Sequence, residues 1–158
     1  MGQPLTRRTV LADEAATIQL GRDIVQGLPD ALAGWLILLQ GDLGAGKSTL
    51  ARAMLREFGH SGAVPSPTYT LVEPYEFAAV SIYHIDLYRI SSADELEFLG
   101  WDDLGDGLRI VEWPERVPGI EADADLHVGL SYAGDGRVAE LQALSSRATA
   151  VLEGIDLK

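Results

Sequence analysis

A chain of 158 residues, 47% hydrophobic and 23% charged, has the size and make-up of one ordinary globular domain and can bury a core without covalent staples. It contains no cysteine, which excludes disulfides and thiolate metal sites. A net charge of −12, from 24 acidic and 12 basic residues, repels phosphate backbones and argues against direct, non-specific nucleic-acid binding.

In chain order, the opening residues carry Arg7 and Arg8 with no apolar stretch behind them, which fails the signal-peptide pattern. The densest apolar run, residues 35–39, is far too short to span a bilayer. The expectation is a cytoplasmic protein without membrane contact, one domain over residues 1–158. Residues 13–28 place Ala16, Leu20, Ile24 and Leu28 on one side, with Val25 beside them, which predicts a helix stopped at Pro29. Residues 35–39 read as a strand buried on both faces. Residues 47–58 read as a helix with Leu50, Met54 and Phe58 on one face and Gly59 as its C-cap.

Strands are expected over 69–77 and 79–86. Ser92-Ala93-Asp94-Glu95 has the form of a capping box opening a short helix over 96–99, stopped by Gly100. Residues 108–112 read as another buried strand, ended by Pro114. Residues 126–132 and 137–144 flank Ala133-Gly134-Asp135-Gly136, whose Asp-Gly pair marks a hairpin. Residues 145–152 read as a closing helix. This mixture predicts an α/β, P-loop NTPase-like three-layer fold: a mostly parallel central sheet with antiparallel additions and helices on both faces.

The most informative segment is Gly41-Asp42-Leu43-Gly44-Ala45-Gly46-Lys47-Ser48, which satisfies G-x-x-x-x-G-K-[ST] at every fixed position. Glycines let backbone N–H groups turn toward phosphate oxygens, Lys47 reaches the β and γ phosphates of ATP, and the Ser48 hydroxyl ligates Mg²⁺. The segment follows a buried strand and opens a helix, whose N-terminal dipole adds to the anion site. The chain has ten arginines and two lysines, and one of those lysines is Lys47.

Two carboxylates end apolar strands. Asp86 closes Ser81-Ile82-Tyr83-His84-Ile85-Asp86 as a Walker-B acid would, although an aspartate there could equally cap the next turn. His84 shares its strand face and reads as a structural or orienting residue. Glu112 closes Arg109-Ile110-Val111-Glu112, at the strand ends where ligands of open α/β sheets sit. It could complete the metal shell or polarise water, or be a surface glutamate. Trp113 is as consistent with core packing as with function. Ser66-Pro67-Thr68-Tyr69-Thr70 is a proline-stiffened, hydroxyl-rich turn, either an ordinary connection or one placed like a switch loop sensing the γ-phosphate. The acidic run at 121–125 lacks EF-hand spacing and reads as a solvated loop.

Together, the glycine-rich loop through Thr49, the Ser66-Pro67-Thr68-Tyr69-Thr70-Leu71-Val72-Glu73-Pro74-Tyr75 segment, His84-Ile85-Asp86-Leu87-Tyr88-Arg89, Glu95-Leu96-Glu97-Phe98-Leu99-Gly100 and Val111-Glu112-Trp113-Pro114 resemble the bacterial TsaE family. The resemblance covers nearly the whole chain and lies in the order and spacing of these pieces. It implies an ATPase subunit of the machinery that forms threonylcarbamoyladenosine in tRNAs reading ANN codons. The implied partners are homologues of TsaB and TsaD, with tRNA contacted indirectly through the complex. By position, the resemblance assigns Lys47 to phosphate and Ser48, where the family commonly has threonine, to Mg²⁺. It makes Glu112 the second metal ligand, Asp86 the Walker-B acid, Trp113 the functional tryptophan and Thr68 part of the switch-like loop. Thr17 lies near the nucleotide, and Gly44, Ala45, Gly46 and Thr49 belong to the nucleotide loop.

Two rival readings differ in class. A GTPase would use an Asn-Lys-x-Asp element, which a chain without asparagine cannot contain. A small-molecule P-loop kinase would need an arginine-bearing lid; Arg109 and Arg116 are available, but no arginine-rich lid segment is visible. Basic groups near the loop are few, so intrinsic hydrolysis is expected to be slow and stimulated by partner proteins.

Overall fold

The computed structural model describes residues 3–67 and 70–157. In chain order the elements are β1 (Thr6–Leu11), α1 (Glu14–Gly27), β2 (Leu36–Gly41), α2 (Lys47–Phe58), β3 (Val72–Glu76), β4 (Ser81–Asp86), α3 (Glu95–Phe98), β5 (Leu108–Glu112), β6 (Leu126–Ala133), β7 (Gly136–Ala143) and α4 (Ser146–Gly154). Short 3₁₀ turns occupy Trp101–Asp106, Pro114–Arg116 and Ile120–Asp123.

Among the described residues the strands form one seven-stranded sheet in the order β1-β7-β6-β2-β5-β4-β3. The central pairs β2–β6, β2–β5 and β4–β5 are parallel, and the outer pairs β1–β7, β6–β7 and β3–β4 are antiparallel. The apolar run expected as a doubly buried strand is β2, with Leu36, Ile37, Leu38 and Leu39 all buried. Its side chains divide by the period-2 rule. Ile37 and Leu39 join the core under α1, α2 and α4, while Leu36 and Leu38 join a smaller core under α3 and the 3₁₀ turns. Both faces are therefore covered, one by long helices and the other by short turns.

Local chemistry explains the boundaries. Asp13 caps α1 by accepting from the Ala16 N–H at 2.9 Å. The buried residues of α1 are Thr17, Leu20, Gly21 and Ile24, with Ala16, Val25 and Leu28 partly buried against the same core, so the expected face is there and is widened by Thr17 and Gly21. Gly21 is placed there by close approach: a Cβ would lie 2.7 Å from that of Ala53 on α2. Gly59 takes a left-handed conformation, φ 116°, and closes α2 as expected.

Three expectations are corrected. Strand β1 is not foreseen in the sequence reading. The opening of α3 is not the Ser92 capping box: Ser91 donates from Oγ to Glu95 Oε1 at 2.6 Å, and Asp94 at the N-cap makes no side-chain cap. In the β6–β7 hairpin, Ala133 pairs with Gly136, which puts the turn at Gly134-Asp135, one residue earlier than the Asp-Gly signal. Gly134 has φ 61°, fitting a turn with glycine at the first central position.

Candidate nucleotide site

The glycine-rich loop joins the end of β2 to the start of α2, at the carboxyl ends of the parallel strands. Gly46 is the N-cap of α2 with φ 113°, a conformation that a side chain would strain, and Gly44 has φ 81°. The loop thereby presents the helix N-terminus without a capping side chain.

Lys47 is buried, 5% exposed. Its ammonium donates to the backbone carbonyl of Gly41 and to that of Asp42 at 3.1 Å. It lies 4.0 Å from the centre of the Trp113 ring. Burial pushes its pKa below the ordinary 10.5, although Glu112, Glu115, Asp86 and Asp42 pull the other way. An ammonium short of solvation is one that gains from an added anion.

Parallel pairing of β4 with β5 sets Asp86 opposite Glu112. Both are buried, at 4% and 2% exposure, so the surface-glutamate reading of Glu112 is excluded. Side-chain alternation lines His84, Asp86 and Glu112 up with Ile82 and Ile110, on the face that α2 covers. Ser48 Oγ donates to Glu112 Oε1 at 3.0 Å, and His84 Nε2 lies 2.6 Å from Glu112 Oε2. Asp86 Oδ1 accepts from the Tyr88 N–H at 2.8 Å, so this residue does cap the turn that follows it.

Trp113 adopts φ 60°, in the left-handed region. Its ring packs on the smaller core and sits 4.9 Å from Tyr88, over which Arg116 stacks at 4.9 Å. Core packing and proximity to the loop are both true of it. Of the switch-like segment, Thr68 and Tyr69 lie outside the described residues. Leu71, which follows it, has φ 69°, and its carbonyl accepts from the Asp86 N–H at 2.9 Å.

Beside the loop lies a cavity of about 180 Å³, lined by Thr17, Gly44, Ala45, Gly46 and Thr49 with Leu11, Asp13 and Glu14 on one side and Asp135, Gly136 and Arg137 on the other. Thr17, expected near the nucleotide, is buried against Gly46. The sequence reading missed the hairpin's contribution. Tyr132 donates from its hydroxyl to the Leu43 carbonyl at 2.7 Å, and Arg137 donates to the Gly44 carbonyl at 3.3 Å while stacking 4.1 Å over Tyr132. A basic group therefore does stand beside the loop. The partners are 89 and 93 positions apart in the chain, and no local pattern announces them.

Two other expectations change. Arg109, considered for a kinase lid, sits at the start of β5 and stacks 4.5 Å over Trp101, at the sheet end opposite the loop. Asp125, read as part of a solvated acidic run, is buried. It accepts from Leu36 N–H at 3.0 Å, Ser145 Oγ at 2.8 Å and Arg147 Nε at 2.8 Å.

The donors here fit a magnesium ion. Ser48 and the two carboxylates are hard oxygen ligands, and Mg²⁺ is held by one or two carboxylates together with substrate phosphates and water.

A parallel-centred sheet with a strand–glycine loop–helix unit and carboxylates on the adjacent strand ends defines the P-loop NTPase class of fold. The comparisons narrow this. The family model described as "Threonylcarbamoyl adenosine biosynthesis protein TsaE" matches residues 11–139. The chain is 50% identical over 110 residues to the tRNA threonylcarbamoyladenosine biosynthesis protein TsaE of Haemophilus influenzae, covering 68% of this chain and 70% of that one. It is 35% identical over 137 residues to the protein of the same name from Nostoc, covering 83% and 82%. The crystal structure of Bacillus subtilis YdiB superposes with a TM-score of 0.73 at 27% identity, over 97% of this chain and 94% of that one. The chain belongs to the TsaE family.

Proposed function

We propose that this protein binds ATP with Mg²⁺ at Gly41–Ser48, hydrolyses it slowly alone, and serves the formation of threonylcarbamoyladenosine in tRNA together with homologues of TsaB and TsaD. The observation that carries the reading is the contact of Ser48 Oγ with Glu112 Oε1 at 3.0 Å beside the buried Lys47 ammonium. A hydroxyl, a carboxylate and a cation converge where a glycine-rich loop exposes the N-terminus of α2.

In this reading Lys47 leaves the carbonyls of Gly41 and Asp42 to meet the β and γ phosphates. Backbone N–H groups of residues 44–49 hold phosphate oxygens, and the cavity against Thr17 takes the nucleoside. Ser48, Glu112 and Asp86 hold Mg²⁺, which when bound neutralises charge on the phosphates and orders water. Glu112 and Asp86 fix the position of the water-bearing side of the site. Trp113 and the segment that includes Thr68 report the nucleotide state outward. Contact with tRNA passes through the partners, because a chain of net charge −12 does not grip RNA on its own.

The test is calorimetric titration with Mg·ATP and with Mg·GTP. Saturable binding with preference for ATP is expected; no binding, or tighter binding of GTP, would overturn the reading.

A further inference from the structure

We infer that His84 is a positioning residue that sets the orientation of the Glu112 carboxylate for magnesium. The inference rests on the Mg·ATP reading above and deepens it.

Glu112 is held at two points. Oε1 meets the Ser48 hydroxyl of the glycine-rich loop, and Oε2 meets His84 Nε2 at 2.6 Å. The terminal torsion of a glutamate is broad, so a single contact would leave the carboxylate free to turn. The second contact comes from the neighbouring strand. His84 pairs with Ile110, two residues before Glu112, and so reaches it diagonally across β4 and β5. Parallel pairing of two strands thus fixes the carboxylate facing Ser48.

His84 has no other polar engagement among the described residues. It is 1% exposed, and its Nδ1 is buried without a hydrogen-bond partner. A core position needing bulk alone would be filled at lower cost by an apolar side chain, because an orphaned buried polar atom is destabilising. A carboxylate oxygen accepts, so in this contact the ring is the donor, through Nε2. The imidazole then works as a fixed donor that turns and supports the carboxylate. Partners of this kind behind a metal ligand commonly control metal affinity by about 10- to 100-fold.

The experiment compares wild type with His84→Met, which fills the volume without a donor, and His84→Gln, whose amide N–H₂ can stand where Nε2 stands. ATP affinity is measured by calorimetry with Mg²⁺ and again with EDTA, and folding is checked by circular dichroism and melting. In the Met variant the gain in ATP affinity that Mg²⁺ confers should shrink about tenfold while metal-free affinity stays within about twofold. The Gln variant should recover most of that gain. If the Met variant does not fold, His84→Asn, whose shorter amide cannot reach Glu112, replaces it with the same expectation. A folded donor-less variant with the full wild-type Mg²⁺ gain overturns the inference, as does a Gln variant no better than Met. A wild type that binds ATP equally with and without Mg²⁺ instead removes the magnesium reading, and this inference with it.

Discussion

Lys47 is the residue on which most depends. Its side chain is buried but spends its donors on two loop carbonyls and on the face of Trp113, which itself packs at the margin of the smaller core. Removing it deletes charge more than packing. Lys47→Ala should keep its melting behaviour close to wild type and lose about 10- to 100-fold in ATP affinity, the worth of one or two charge-assisted hydrogen bonds. Calorimetry beside a thermal melt checks both halves; near-normal affinity would contradict the phosphate role. Glu112→Ala should lower hydrolysis at least about tenfold and forfeit the Mg²⁺-dependent part of ATP binding. Asp125 belongs to stability instead. Burial alone would raise its pKa, but hydrogen bonds from Arg147, the Leu36 N–H and Ser145 outweigh that and hold the carboxyl below its ordinary 3.8. A depressed folded pKa means that the stability it confers is present above 3.8 and is lost as pH falls through the lower, folded value. Asp125→Asn should therefore cost about 1–3 kcal/mol at neutral pH and less as the pH drops below that range. Urea unfolding at pH 6 and pH 3 measures it, and an equal loss at both would contradict the linkage.

At the scale of elements, the hairpin of β6 and β7 does more than close the sheet. Through Tyr132 and Arg137 it grips Leu43 and Gly44, the outer side of the glycine-rich loop. Arg137→Ala should raise the Kd for ATP about three- to tenfold with the fold unchanged, the loss of one or two modest hydrogen bonds and a stacking contact. An unchanged Kd would make the clamp incidental. Legibility also divides by element. The glycine-rich loop and α2 are plain in the sequence because their spacing is set by local backbone chemistry, and β2 because it is buried on both faces. Strand β1 is not, because its pattern is inverted. Arg7 points inward and donates to the Leu152 carbonyl at 2.9 Å and to that of Ile155, whereas Val10 faces out at 71% exposure. The inner face of α1 is legible in Ala16, Leu20, Ile24, Val25 and Leu28, which all pack on the core, but not in Thr17 and Gly21, which are buried by the demands of the cavity and of close helix packing, not by hydrophobicity. The link between His84 and Glu112, and that between the hairpin and the loop, are tertiary, and register alone creates them.

Across the whole molecule, the long-helix core and the short-turn core meet at β2, and the site sits where β2, β4 and β5 end. Among the described residues no helix is long and apolar enough to cross a membrane. The cavity by the loop is small, about 180 Å³. Of the two arginines considered for a kinase lid, Arg109 lies at the far end of the sheet and Arg116 is stacked over Tyr88. The proposed function therefore puts the destination of ATP energy outside this chain, in partners that would complete the site in trans. The most direct measurement is steady-state ATP hydrolysis by the isolated protein against a mixture with TsaB and TsaD homologues, with threonylcarbamoyladenosine in tRNA scored in the same tubes. Slow hydrolysis alone, acceleration in the mixture, and modification that requires both ATP and an intact Lys47 are the expected results; equal hydrolysis in both, with modification indifferent to the Lys47→Ala variant, would contradict the account.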